Sequence, residues 1–136
     1  MYHEEFYPDG FVQHLPRFTG KPVYICENGV SCDDDRFRIV YIARHLAALK
    51  EAMNLGVDLR AYIHWSAMDN YEWGSFLPRF GLIHVDFETF KRTPKPSAYF
   101  YREIIENHGI TKAIRKKYIE PLCDFKTYEL PIKKGS

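Results

Sequence analysis

The sequence predicts an α/β protein with a parallel sheet, and three observations predict it. A short apolar run of β-formers, PVYIC at 22–26, precedes a long stretch with helical periodicity, and a second strand-like run, RAYIHWS at 60–66, follows that stretch. A strand, a helix and a strand in that order make a βαβ unit, whose strands pair in parallel. Both runs are apolar on either side, as in strands covered on both faces, so two strands alone are too few and the sequence reads as part of a larger α/β structure.

Each element has its own signals. Residues 8–18 (PDGFVQHLPRF) open with Pro8, which suits a first helical turn, and Pro16 breaks the helix early. The 22–26 run stops at Glu27-Asn28-Gly29, a polar turn. Asp33, Asp34 and Asp35 then put negative charge where a helix dipole favours it. From there to Asn54, Phe37, Val40, Tyr41, Leu46, Leu49 and Met53 recur at helical spacing, and Gly56 marks the stop. After the second strand come a polar-aromatic loop, AMDNYEWGSFLPRFG, and an extended piece, LIHVDF. Pro96-Ser97 and Gly109 bracket a last helix with an apolar side. Residues 112–136 are basic, then mixed, with two prolines, and read as a C-terminal extension to a body formed by residues 1–111.

Composition narrows the function classes. Of 136 residues 46% are hydrophobic, including ten Phe, ten Tyr and two Trp, which is enough for a core and supplies rings for sugar faces to stack on. A net charge of +1 gives no reason to expect nucleic acid. No apolar run approaches the roughly 20 residues of a membrane span. The opening MYHEEFYPDG lacks the basic start and apolar stretch of a signal peptide, so a cytoplasmic location is expected. The three cysteines, Cys26, Cys32 and Cys123, are irregularly spaced and form neither a disulfide framework nor a CxxC metal pattern. They read as free thiols. The six histidines show no metal-ligand spacing either.

Strand ends are where a parallel α/β structure keeps its chemistry. Glu27 follows the first strand, Trp65 ends the second, and Glu72 and Trp73 lie in the next loop. Two carboxylates and two indoles near one sheet edge suit a sugar site: one carboxylate at the anomeric carbon, one on hydroxyls, rings against the pyranose. Plainer readings stand beside this. An acidic residue before Asn-Gly is ordinarily part of a tight turn. A Trp at a strand end ordinarily packs, His64 suits a core position, and Asp69 and Asn70 suit loop hydrogen bonds.

Longer motifs carry a resemblance. PVYICENG at 22–29, WSAMDNYEW at 65–73, RFGLIHVD at 79–86 followed by Thr89, Arg92, Lys95 and Ser97-Ala98, and YPDGF at 7–11 are collinear over roughly residues 5–110. Together they resemble glycoside hydrolase family 1, of the β-glucosidase and β-galactosidase type. The resemblance implies the C-terminal part, the last two β/α units, of a TIM (β/α)8 barrel. It further implies a retaining β-glycosidase with Glu27 as nucleophile. Trp65 would lie under the sugar, Glu72 would take its outer hydroxyls O4 and O6, Trp73 would donate its indole N–H near O3, and Phe80 would line the pocket. The substrate would be a β-glycoside, with no metal or other cofactor.

Departures from the family pattern are local, with one exception. Cys26 stands where the family usually has Thr, and GSFLP after Trp73 is slightly shorter than the usual loop. The exception is the family's acid/base motif, N-E-P, which does not occur in the 136 residues. A retaining mechanism needs two carboxyl groups, so the expected partner is the N-terminal part of the barrel or another copy of the chain. The alternative is a sugar-binding or barrel-complementing role without catalysis.

Overall fold

In the computed structural model, residues 5–122 are described. Helix α1 (Asp9–His14) passes into a 3-10 turn (Leu15–Phe18) and leads to strand β1 (Pro22–Asn28). Helix α2 (Asp35–Asn54) returns the chain to strand β2 (Asp58–His64), which pairs with β1 in parallel. This is the expected βαβ unit. The register sets Ile25 beside Tyr62 and Asn28 beside His64. Both strands are displaced slightly from their sequence-based limits: β1 runs on through Glu27 and Asn28, and β2 stops one residue before Trp65. Glu27 is therefore the penultimate residue of the strand rather than beyond it.

The LIHVDF piece becomes β3 (Ile83–Val85), and it is not alone. It pairs antiparallel with β4 (Arg92–Pro94), a strand the sequence signals did not separate from its surroundings. The three residues Arg-Thr-Pro carry no apolar alternation, and all three are exposed. Helix α3 (Pro96–Glu106) follows as expected. Beyond it the chain stays ordered in helical turns: α4 (Lys112–Ile114), a π turn (Arg115–Ile119) and a 3-10 turn (Glu120–Leu122). Residues 112–122 thus do not hang free, because Ile114 and Ile119 are buried in the same cluster as Ile39, Ile42, Leu82, Phe100 and Ile104. The rest of the expected extension, including Cys123, lies outside the described residues.

Helix α2 is the hub. Asp34 caps it, accepting from the Arg36 amide at 2.9 Å. Its periodic residues Phe37, Val40, Tyr41 and Leu49 are buried as expected, whereas Met53 near its end is exposed. Ile39, Ile42, Ala43, Ala48 and Ala52 are buried too, so more of the helix is covered than one amphipathic stripe. One side packs against α3 and the last turns. Another packs on the outer face of the sheet through Leu49 and Ala52 against Ile25, Val23 and Leu59. Gly56, at φ +95°, makes the stop after the helix with a left-handed turn that a side chain would strain.

Two ionic latches hold the layers together. Arg38, fully buried in α2, donates to the carboxylate of Asp35 and to the carbonyls of Arg79 and, at 3.1 Å, Cys32. Asp35 also accepts from the Ser97 amide and hydroxyl, both at 2.7 Å, which ties the start of α3 to the start of α2. In the second latch, Asp69 accepts from Lys95 Nζ at 3.0 Å and from the Gly81 amide at 2.9 Å, and Lys95 also donates to the Gly81 carbonyl at 2.7 Å. Lys95 and Ser97, picked out by sequence only as parts of a motif, thus hold the framework.

Candidate active site

The loops after β1 and β2 meet at one end of the sheet, and two contacts fix how they meet. The Trp65 amide donates to the Asn28 carbonyl at 3.1 Å. Gly29 lets the strands close, since a Cβ there would sit 1.7 Å from the Trp65 carbonyl oxygen. Glycine is required at this point by space, not by its φ angle. Asn28 adds a side-chain clamp: its amide donates to the Tyr41 hydroxyl at 3.2 Å and accepts from the Tyr62 hydroxyl at 2.9 Å. Burial holds the Tyr62 phenol well above its ordinary pKa, so it serves as a neutral donor. Sequence reasoning treated Asn28 as turn chemistry and overlooked Tyr41 and Tyr62 at the site. Their only signal is a hydroxyl on an otherwise apolar helix or strand position.

Past β2 the loop folds back on itself. The Trp65 indole N–H donates to a Glu72 carboxylate oxygen at 2.8 Å. Glu72 and Ser75 exchange backbone hydrogen bonds at 2.8 and 3.0 Å across a two-residue turn. Its centre, Trp73 and Gly74, has φ of +43° and +107°. A turn with two positive φ angles favours glycine at one of its central positions, and Gly74 supplies it. This tight turn is the physical form of the shortened loop, and it leaves Trp73 at its tip, 93% exposed. The Trp65–Ser66 peptide is cis. The Ser66 amide donates to the Phe80 carbonyl at 3.3 Å, so Phe80 returns beside the end of β2.

The result is one open cleft of about 330 Å³ lined by Glu27, Asn28, Gly29, Tyr41, Trp65, Glu72, Trp73 and Phe80. All five residues that the sequence marked as site candidates, Glu27, Trp65, Glu72, Trp73 and Phe80, therefore share a wall. They differ in how they are held. Glu72 is 7% exposed and bonded, whereas Glu27 is exposed and carries no side-chain hydrogen bond among the described residues. Such a cleft can accept a polyhydroxylated ligand: a carboxylate to face a reacting carbon, a second on hydroxyls, and aromatic walls.

The neighbouring titratable groups stay out of that chemistry. His64 is buried and its pKa is pushed down to about 4 by desolvation, so at neutral pH it is an uncharged core residue 3.4 Å from the Phe80 carbonyl. Burial raises the Cys32 thiol to about 11, which keeps it protonated and unreactive. Asp69 is spent on its latch. No group of three or more His, Cys, Asp or Glu among the described residues could hold a metal ion. Nor is any helix among them long and apolar enough to cross a membrane.

Comparison with known proteins agrees with this architecture. The chain is 43% identical over 114 residues to a β-galactosidase of Sulfolobus acidocaldarius, a match that covers 81% of this chain and 23% of that protein. Among solved structures, a β-glycosidase from Pyrococcus horikoshii superposes with a TM-score of 0.78 at 44% identity, over 84% of this chain and 28% of that one. A β-glucosidase from Thermotoga maritima, solved with glucoimidazole, gives a TM-score of 0.74 at 35% identity over 79% of this chain and 28% of that one. The chain therefore spans about a quarter of the length of the relatives it matches. Those structures are (β/α)8 barrels, and the two β/α units here form a part of one. The profile of Glycosyl hydrolase family 1 matches residues 5–110, which takes in both strands, the cleft and α3, and the chain belongs to that family.

Proposed function

We propose that this chain supplies the nucleophile side of a retaining β-glycosidase site. One observation carries the proposal: Glu27, near the C-terminal end of a parallel strand, faces the same cleft as Trp65, Glu72, Trp73 and Phe80. In a barrel of this kind, catalytic groups sit at that end of the strands.

The geometry supports one role for each residue. The Glu27 carboxylate attacks the anomeric carbon, the bond to the leaving oxygen breaks, and a glycosyl ester forms on Glu27. Water then cleaves the ester and restores the carboxylate. Glu72 uses one oxygen on the Trp65 indole and keeps accepting capacity for sugar hydroxyls. Trp65, held edge-on by that bond, offers its ring face as the floor, while Trp73 presents its indole from the turn tip. Protonation of the leaving oxygen requires a second carboxyl group. Glu72 is committed to its own contacts, and the residues here contain no N-E-P motif. The acid therefore comes from polypeptide outside these 136 residues. The preferred substrates are β-glucosides and β-galactosides, because the DNYEW form lacks the Ser and Lys-x-Tyr cluster of phosphosugar-specific relatives.

A leaving group that departs without a proton separates this reading from binding alone. Incubation with 2,4-dinitrophenyl β-glucoside should leave one glucosyl group on Glu27, mapped by mass spectrometry and absent in Glu27→Gln. A protein that binds the glucoside through Trp65 and Glu72 yet never becomes labelled at Glu27 would instead be a sugar-binding module.

A further inference from the structure

We propose that a β-bulge at Cys26 and Glu27, held by the Tyr41–Asn28–Tyr62 clamp, is what turns Glu27 into the cleft, and that Tyr41 and Tyr62 are positioning residues for it. The bulge is read from the sheet, and only its catalytic consequence rests on the nucleophile reading above. In a regular strand, successive side chains point to opposite faces. Strand β1 keeps that rule as far as Cys26: Val23 and Ile25 pack toward α2, while Tyr24 and Cys26 on the opposite face are exposed. Glu27 breaks the rule. By alternation it would follow Ile25 under α2, yet it is exposed and lines the cleft. Asn28, which alternation would put on the face of Tyr24 and Cys26, instead meets Tyr41 of α2 and Tyr62.

The pairing register locates the extra residue. Ile25 stands beside Tyr62 and Asn28 beside His64, so Cys26 and Glu27 together face the single residue Ile63. Two residues against one is a bulge, which bends its strand and re-aims side chains. Regular pairing from Ile25 onward would set Glu27, not Asn28, beside His64. The carboxylate would then occupy the half-buried place that Asn28 holds, and it would be withdrawn from the cleft.

The clamp selects the bulged register. Tyr62 lies on the neighbouring strand and Tyr41 on the covering helix, and their hydroxyls meet the oxygen and the nitrogen of one amide, at 2.9 and 3.2 Å. A neutral amide satisfies both hydroxyls, whereas a carboxylate in the same half-buried place would bring a charge out of water. The Asn28 carbonyl also accepts from the Trp65 amide at 3.1 Å, so the residue that closes the bulge ties it to the floor of the cleft as well.

The test follows covalent labelling of Glu27 by the dinitrophenyl glucoside against its concentration. Tyr62→Phe should lower the maximal labelling rate about tenfold or more and leave the half-saturating concentration within about twofold, because the carboxylate is misaimed while Trp65 and Glu72 still hold the sugar. Tyr41→Phe should act in the same direction. Tyr101→Phe removes a hydroxyl that donates to the Tyr62 carbonyl at 3.1 Å and touches nothing on Asn28, so it controls for lost stability and should label at the parent rate. Hydrogen exchange of the Trp65 amide, read without sugar, reports on the bulge alone. It should quicken about tenfold or more in Tyr62→Phe and not in Tyr101→Phe. Parent labelling in a folded Tyr62→Phe, or an equal loss in Tyr101→Phe, overturns the positioning role. A parent chain that is never labelled sinks the nucleophile reading instead, and exchange then decides the bulge: an unchanged Trp65 amide in Tyr62→Phe overturns it, and a faster one upholds it.

Discussion

The indole of Trp65 and the carboxylate of Glu72 are joined by a 2.8 Å hydrogen bond that spans seven residues and shapes the loop after β2. The bond fixes the ring plane of the one residue and the free lone pairs of the other, so two residues that look like separate ligand contacts act as one unit. Trp65→Phe keeps a ring and removes the donor. It leaves a largely buried carboxylate oxygen without its partner, at a cost of about 1–3 kcal/mol. Glu72→Gln keeps an acceptor and should cost about 1 kcal/mol. Urea unfolding of the two variants checks the order, and a larger loss in Glu72→Gln would show that the bond is not what holds the loop.

Gly29 is the tightest position in the site. A Cβ 1.7 Å from the Trp65 carbonyl oxygen forces the strand ends apart. Gly29→Ala should therefore destabilise the chain by about 3 kcal/mol or more, at or beyond the upper end of ordinary overpacking. It should also shift the fluorescence of Trp65 in the folded state. Gly81→Ala makes a similar clash, 2.1 Å from the Asp69 amide nitrogen, but on the far side of the loop. A folded Gly29→Ala protein with unchanged stability and emission would mean that the strand ends can separate freely.

The βαβ unit was legible because strand composition and helix periodicity are local signals, and the gathering of Glu27, Trp65, Glu72 and Trp73 at one end of the sheet was legible because they stand at its strand ends and in the next loop. What stayed hidden is long-range. Asn28 looks like any turn Asn until Tyr41 and Tyr62, thirteen and thirty-four residues away, put hydroxyls on its amide. The need for glycine at 29 arises from a carbonyl on another strand. Strand β4 has no hydrophobic pattern of its own and exists because β3 offers it an edge. The turns after residue 111 carry basic residues that suggest solvent, while Ile114 and Ile119, five apart, do the packing.

The Asp69–Lys95 latch should be one of the costliest polar contacts to break. Asp69 is buried and Lys95 largely so; burial and the nearby Arg38 charge press the Lys95 pKa down, and Asp69 opposes them. Asp69→Asn leaves the ammonium with the Gly81 carbonyl and no carboxylate in direct contact, for an expected loss of about 3–5 kcal/mol. Adding Lys95→Met to that variant should recover part of it, since the stranded charge is then gone. Equilibrium unfolding of the single and double variants measures the coupling, and strict additivity would place the two residues in separate networks.

His64 sets an acid limit on folding. Its pKa is about 4 in the folded chain because burial disfavours the charged ring, against an ordinary value of 6.5 when exposed. Above pH 6.5 the ring is neutral in both states and its contribution to stability is complete. As pH falls from 6.5 toward 4, the unfolded chain takes up a proton that the folded chain refuses, so stability declines throughout that window. Below about pH 4 both forms are protonated and the contribution is lost. The shift corresponds to about 3 kcal/mol in all, of which about 2 kcal/mol should be gone by pH 5. His45, buried beside Tyr41, is also shifted down by burial and acts in the same direction. The measurement is therefore a difference: unfolding free energy against pH for the chain and for His64→Gln, which keeps a donor toward the Phe80 carbonyl but cannot titrate. The two curves should run parallel above pH 6.5 and converge below it, the variant losing less. Curves that stay parallel down to pH 4 would show that His64 takes its proton without opening the fold.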